Sequence, residues 1–200
     1  MAGTVNEVRI IGKVAKPPVK AGDGAKVVLA TKAGNQKHEH YLLCSGNAVD
    51  AAKELQVGQL VRAEGRMSSV GDNPPTYVIK AYRITFLAAE AKPEATVAEA
   101  FVMGRLGRDP ESRSTNEGKA VCNFSVATDY GFGENSTTDW IRATAFERTA
   151  EIAGQYLQKG SSVHLSGVIR VSHWTDNDGN DRRGVELSVN RLTLVGKKKE

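Results

Sequence analysis

Cysteine is nearly missing from this chain: Cys44 and Cys122 stand far apart, and neither has a partner at metal-ligand spacing. A disulfide-built fold and a cysteine-rich metal site are therefore excluded as organising features. Long apolar runs are missing as well. No stretch approaches the roughly 18 residues that a membrane span needs, and residues 1–7 carry neither the basic start nor the apolar core of a secretory leader. The expected compartment is the cytoplasm. Charge of one sign is barely in excess. The net charge is +4; residues 1–97 hold 13 Lys and Arg against 9 Asp and Glu, and residues 98–200 hold 14 of each. Net charge alone does not identify a nucleic-acid partner here. Aromatic residues make up only 6% of the chain and both tryptophans, Trp140 and Trp174, fall in the second half, so where each aromatic falls carries information.

What is present is one pattern, twice. Ile10-Ile11-Gly12-Lys13-Val14 with Pro17-Pro18 is echoed by Val102-Met103-Gly104-Arg105-Leu106 with Pro110. Leu29-Ala30-Thr31 returns as Val126-Ala127-Thr128, and Glu54-Leu55-Gln56-Val57-Gly58 as Tyr156-Leu157-Gln158-Lys159-Gly160. Gly65 and Gly167 follow in turn, then Tyr82-Arg83-Ile84-Thr85 and Asn190-Arg191-Leu192-Thr193. The order is kept while the offset grows, as when surface loops lengthen between fixed elements. Residues 89–97 lack apolar periodicity and contain Pro93, so they read as a linker between domains at 1–88 and 98–200. Each copy reads β-β-β-α-β-β, with short helices over 49–56 and 148–158 that stop before a glycine. The run Asp176-Asn177-Asp178-Gly179-Asn180 reads as a hairpin turn. The expected fold class is all-β, two tandem five-stranded OB-type barrels with one short helix each.

Strand alternation then separates the side chains. In the stretch from Trp140 to Phe146, Ile141, Ala143 and Ala145 share one face, and Trp140, Arg142, Thr144 and Phe146 the other. Two large aromatics thus lie out of phase with the apolar set, on the face of an arginine. Further on, Val163, Leu165, Gly167, Ile169 and Val171 alternate with His164, Ser166, Arg170, Ser172 and Trp174, with Val168 the apolar exception. Phe124 alternates with Cys122 and Val126, and both Phe124 and Phe101 are expected in the core. Trp140 and Phe146 stand roughly 20 Å apart along an extended strand, which suits a ribbon for several nucleotides rather than a small-molecule pocket. Every base has a π face, and stacking contributes about 1–3 kcal/mol per base without reading sequence. Arginines beside such aromatics add phosphate contacts that weaken with salt.

At these residues the second half resembles the bacterial single-stranded DNA-binding protein family, over nearly all of 99–195. The stretches that carry the resemblance are Gly104-Arg105-Leu106-Gly107-Arg108-Asp109-Pro110-Glu111, Phe124-Ser125-Val126-Ala127-Thr128, Thr138-Asp139-Trp140, Glu151 through Gly160, and Trp174-Thr175-Asp176. The resemblance implies a non-catalytic protein that coats single-stranded DNA in replication, recombination and repair. It also implies that Trp140, Phe146, Trp174 and Phe132 stack on bases. Arg105, Arg142 and Arg170 complete the expected site, and Tyr41 is the candidate in the first half. If four barrels are needed to wrap DNA, a chain with two forms a homodimer.

The sequence departs from that family in two ways. The first half has no tryptophan; Ser45 falls near the place matching Phe146 and Asp72 near the place matching Trp174. Its aromatics are Tyr41, Tyr77, Tyr82 and Phe86, so it binds DNA through lysine, arginine and Tyr41, or serves mainly in assembly. The chain ends Gly196-Lys197-Lys198-Lys199-Glu200 rather than in an acidic tip, so tail-mediated recruitment of replication proteins is not expected. The alternative reading is an accessory assembly factor for restart or recombination that acts through protein contacts. His38-Glu39-His40 with Cys44 offers at most three metal ligands and reads as an ordinary strand. The run from Asp176 to Asp181 lacks the helices and glycine position of a calcium loop. No P-loop, GxGxxG or Ser-His-Asp pattern is present; no cofactor, metal or catalytic residue is expected.

Overall fold

The computed structural model describes residues 4–33, 36–70, 76–88, 96–131, 136–175, 179 and 181–195. The first half runs β1 (Val5–Ala21), β2 (Gly24–Ala33), β3 (Gln36–Cys44), α1 (Asn47–Glu54), β4 (Leu60–Val70) and β5 (Thr76–Phe86). The second runs β6 (Val97–Leu106), β7 (Glu111–Ser114), β8 (Ala120–Tyr130), β9 (Thr137–Phe146), α2 (Glu147–Tyr156), β10 (Ser162–Thr175) and β11 (Asp181–Val195). Residues 132–135, which include Phe132, and 71–75, which include Asp72, lie outside the described residues, as does most of the linker.

In the first half β1 pairs with both β2 and β4, β2 with β3, β3 with β5 and β5 with β4, so five strands close on themselves. The β3–β5 pairing is parallel and the other four are antiparallel. The second half repeats the ring: β6 pairs with β8 and β10, β8 with β9, β9 with β11 in parallel, and β11 with β10. A closed five-stranded ring with a helix after its third strand is the OB arrangement. Tertiary contacts divide the chain into two compact units. One comprises Met1–Asn6, Ala100–Ile169 and Glu186–Glu200, the other Glu7–Glu99 and Arg170–Val185.

The repeat extends to individual hydrogen bonds. Gly58 donates its N–H to Val14 O at 2.8 Å and Gly160 donates to Leu106 O at 2.8 Å, while Val14 and Leu106 donate to Gln59 O and Ser161 O at 2.9 Å each. Glycine is also required at matching places where strands approach closely. A Cβ at Gly12 would meet Ala30 O at 2.7 Å, and at Gly104 would meet Ala127 O at 2.1 Å. Both helices sit close to their barrel through small side chains, Ala48 and Ala52 in α1 and Ala150 and Ala153 in α2. They end earlier than expected. Leu55 and Leu157 are already extended and buried, because anchoring a leucine draws the chain out of the helix before Gly58 and Gly160 turn it at positive φ.

Two further expectations are corrected. The second half holds one more strand than the pattern suggested, the short β7. In the first half the corresponding residues simply continue β1 through Pro17 and Pro18, accommodated by register shifts between Val14 and Lys16 and between Lys16 and Val19. Phe101 is half-exposed rather than core. Alternation in β6 turns Ala98, Ala100, Val102 and Leu106 inward and leaves Phe101 on the face of Glu99, Met103 and Arg105. Phe124 is buried as expected, opposite Ala143.

Candidate nucleic-acid interface

Strand β9 builds the centre of the site. Ile141, Ala143 and Ala145 are fully or almost fully buried, opposite Val126, Phe124 and Cys122 of β8. Fully burying a side chain such as Ile141 contributes roughly 1.5–3 kcal/mol, so the inward set holds the strand in register and the period of two aims the rest outward. Trp140 and Phe146 are 41% and 40% exposed, and Arg142 is exposed between them. Arg105 of β6 stands opposite Ala127 of β8, and Ala127 stands opposite Trp140 of β9. One row across three strands therefore reads Arg105, Ala127, Trp140, with a small residue between a cation and an indole. The next row pairs Ser125 with Arg142.

Thr144 shares the outward parity but is buried. Its hydroxyl lies 3.1 Å from Asn123 Oδ1 and 3.2 Å from Glu186 Oε2, which fills the space between Arg142 and Phe146 with a polar floor. Phe146 is the last residue of β9 and directly precedes α2. Tyr130, exposed at the end of β8, is an aromatic that alternation does not single out. Its parity matches the buried Thr128, and it is exposed because the strand outruns the barrel there.

The remaining candidates fall differently. Arg170 is exposed on β10, and with Trp174 it belongs to the unit that contains Glu7–Glu99, not to that of Trp140 and Phe146. Trp174 lies within β10 but its side chain is outside the described residues, as is Phe132 altogether. Tyr41 is half-buried on β3. Its hydroxyl donates to Glu39 Oε2 at 3.1 Å, and Lys16 Nζ donates to Glu39 Oε2 at 2.8 Å and to Tyr41 Oη at 3.3 Å. The ammonium of Lys16 also sits 5.5 Å from the centre of the Tyr41 ring. Hydrogen bonding to Glu39 raises the pKa of Lys16, and the Lys16 hydrogen bond in turn lowers that of Glu39.

Along β3, Glu39 faces the opposite side from His38, His40 and Cys44, and its carboxylate accepts a hydrogen bond from Lys16 instead. His40 and Cys44 point inward and are buried, with His40 Nε2 2.9 Å from Thr31 Oγ1. Among the described residues no group of three metal-ligating side chains is assembled, and no helix is long and apolar enough to cross a membrane.

Residues 97–195 match the model of the Single-strand binding protein family. Two curated proteins named single-stranded DNA-binding protein, from serogroup A and serogroup B strains of Neisseria meningitidis, are each 40% identical to this chain over 105 residues. The match covers 50% of this chain and 60% of each relative, so the chain spans less than two thirds of their length. Among solved structures, the wild-type single-stranded DNA binding protein from Thermus aquaticus aligns with all of this chain and 97% of its own, with a TM-score of 0.75 and 22% identity. A deletion mutant of the same protein aligns over 100% of this chain and 98% of its own, at TM-score 0.74 and 24% identity. At that identity the likeness is one of fold, and it runs through both halves. The sequence match, the barrel topology and the fold likeness converge on one conclusion: through residues 97–195, this chain belongs to the single-strand binding protein family.

Proposed function

We propose that the chain is a non-catalytic protein that binds and coats single-stranded DNA with little sequence preference, in replication, recombination and repair in the cytoplasm. The observation that carries this reading is the Arg105–Ala127–Trp140 row, continued by Arg142 and Phe146, on an exposed face held from behind by a buried one. Exposed rings take successive bases by their π faces, and the arginines take phosphates. The second domain, residues 98–200, supplies the stacking, with Phe132, Trp174 and Arg170 as further DNA-binding residues by the family resemblance, and the first, residues 1–88, contributes through lysines and Tyr41. A homodimer presents four barrels to the strand.

Intrinsic fluorescence tests the reading, since Trp140 and Trp174 are the sole tryptophans. Titration with oligo-dT is expected to quench strongly and duplex DNA weakly. Quenching that is absent, or equal with duplex, would turn the assignment toward assembly through protein contacts.

A further inference from the structure

The two barrels use the same face differently. In the first, the β1–β2–β3 register aligns Lys13 with Ala30 and Ala30 with Glu39, then Lys16 with Val28 and Val28 with Tyr41. The repeat matches Lys13 to Arg105 and Ala30 to Ala127, so Glu39 occupies the place that Trp140 holds in the second barrel. The same outward parity brings Lys26, Lys32 and Lys37 onto this face. Five exposed lysines thus surround one carboxylate within the rows these strands share. That carboxylate is engaged: Lys16 Nζ is 2.8 Å from Glu39 Oε2, Lys37 Nζ is 3.6 Å from Glu39 Oε1, and Tyr41 donates its hydroxyl to Oε2.

An acid at the centre of a lysine field does two things. It repels a phosphodiester, and it occupies the ammonium groups that would otherwise meet one. We propose that Glu39 is an internal phosphate mimic, so that single-stranded DNA must displace it from Lys16 and Lys37 to occupy the first barrel. This rests on the single-strand-binding reading above. The barrel then acts as a backbone-reading subsite, salt-sensitive and weaker than its stacking neighbour, that fills after the second. The geometry suits displacement. The Lys16 and Lys37 side chains are more than half exposed, 53% and 60%, and can swing from a carboxylate to a phosphate with little rearrangement of the strand.

The experiment uses the full chain, with Trp140→Ala as the background that weakens the second barrel, and reads anisotropy of labelled oligo-dT across a salt series. Glu39→Gln is expected to raise affinity several-fold at low salt. It should also steepen the dependence of log K on log salt by about 1.4, since two freed lysines each neutralise a phosphate at roughly 0.7 per single-strand contact. Glu39→Thr, which favours the strand and removes the same charge, should give the same gain, and Lys16→Gln added to Glu39→Gln should reverse about half of it. Equal or lower affinity with an unchanged slope in both Glu39 variants would overturn the proposal while leaving single-strand binding intact. Failure of the unmodified chain to bind oligo-dT would overturn the underlying reading and this inference together.

Discussion

The Trp140 indole lies against the backbone of Gly107: a Cβ built on that glycine would stand 2.1 Å from Cζ3 and 2.6 Å from Cη2 of the ring. Gly107 itself is held by its N–H, which donates to Ser125 O at 3.2 Å. The glycine is therefore a floor for the indole, and its missing side chain sets how the ring is presented.

Replacing that floor should displace the ring without unfolding the barrel. Gly107→Ala is expected to weaken oligo-dT binding roughly 5- to 10-fold, within the range for one lost stack. The melting temperature should fall by no more than about 4 °C, because the indole is free to move on its exposed side. Melting and titration of the same preparation check this. A large thermal loss with unchanged affinity would show Gly107 to serve stability alone.

The two exposed rings of β9 should contribute separately. Trp140→Ala and Phe146→Ala are each expected to cost about 1–3 kcal/mol of single-strand affinity, with little change in the salt slope. Arg142→Ala should instead reduce the slope by about 0.7. Salt-series titrations of the three variants distinguish the roles.

Glu147 begins α2 at φ 50°, in the left-handed region, where the first barrel has Gly46 at φ 54°. A side chain there costs about 1–2 kcal/mol, less the entropy that glycine loses on folding. Glu147→Gly is therefore expected to stabilise the fold by about 0.5–1 kcal/mol, measured by urea denaturation. Destabilisation would show that the Glu147 side chain makes a contact worth more than its strain.

His40 links the first barrel to pH. Its ring is 1% exposed, and burial, reinforced by the nearby His38, pushes its pKa down from 6.5 to about 4. Between those values the unfolded chain takes up a proton that the folded chain refuses. This stability is thus fully present above pH 6.5 and is lost as pH falls towards 4, about 3 kcal/mol in all. Urea midpoints at pH 7.5 and pH 5 should differ accordingly, and His40→Leu should flatten the difference. Equal midpoint shifts in the variant would assign the pH dependence to other groups.

The outward set of β9 was legible in the sequence because alternation is local: once Ile141, Ala143 and Ala145 go inward, the backbone carries Trp140, Arg142 and Phe146 the other way. The repeat was legible for a similar reason, since matching glycines and leucines recur wherever the barrel needs a close crossing or an anchor. Long-range relationships were not. Thr144 follows the outward parity yet is covered by Asn123 and Glu186, which reach it from β8 and β11. Phe101 depended on which face of β6 the ring of strands enclosed.

Sequence by itself determined the repeated unit, the all-β class and the strand that carries the exposed aromatics, because periodicity and turn chemistry act over a few residues. Only the tertiary structure decided that Glu39 stands where Trp140 stands, and that Gly107 backs the indole. Those relationships depend on the register between strands separated by loops and bulges. Register follows from how the whole ring closes, which no short stretch of the chain encodes.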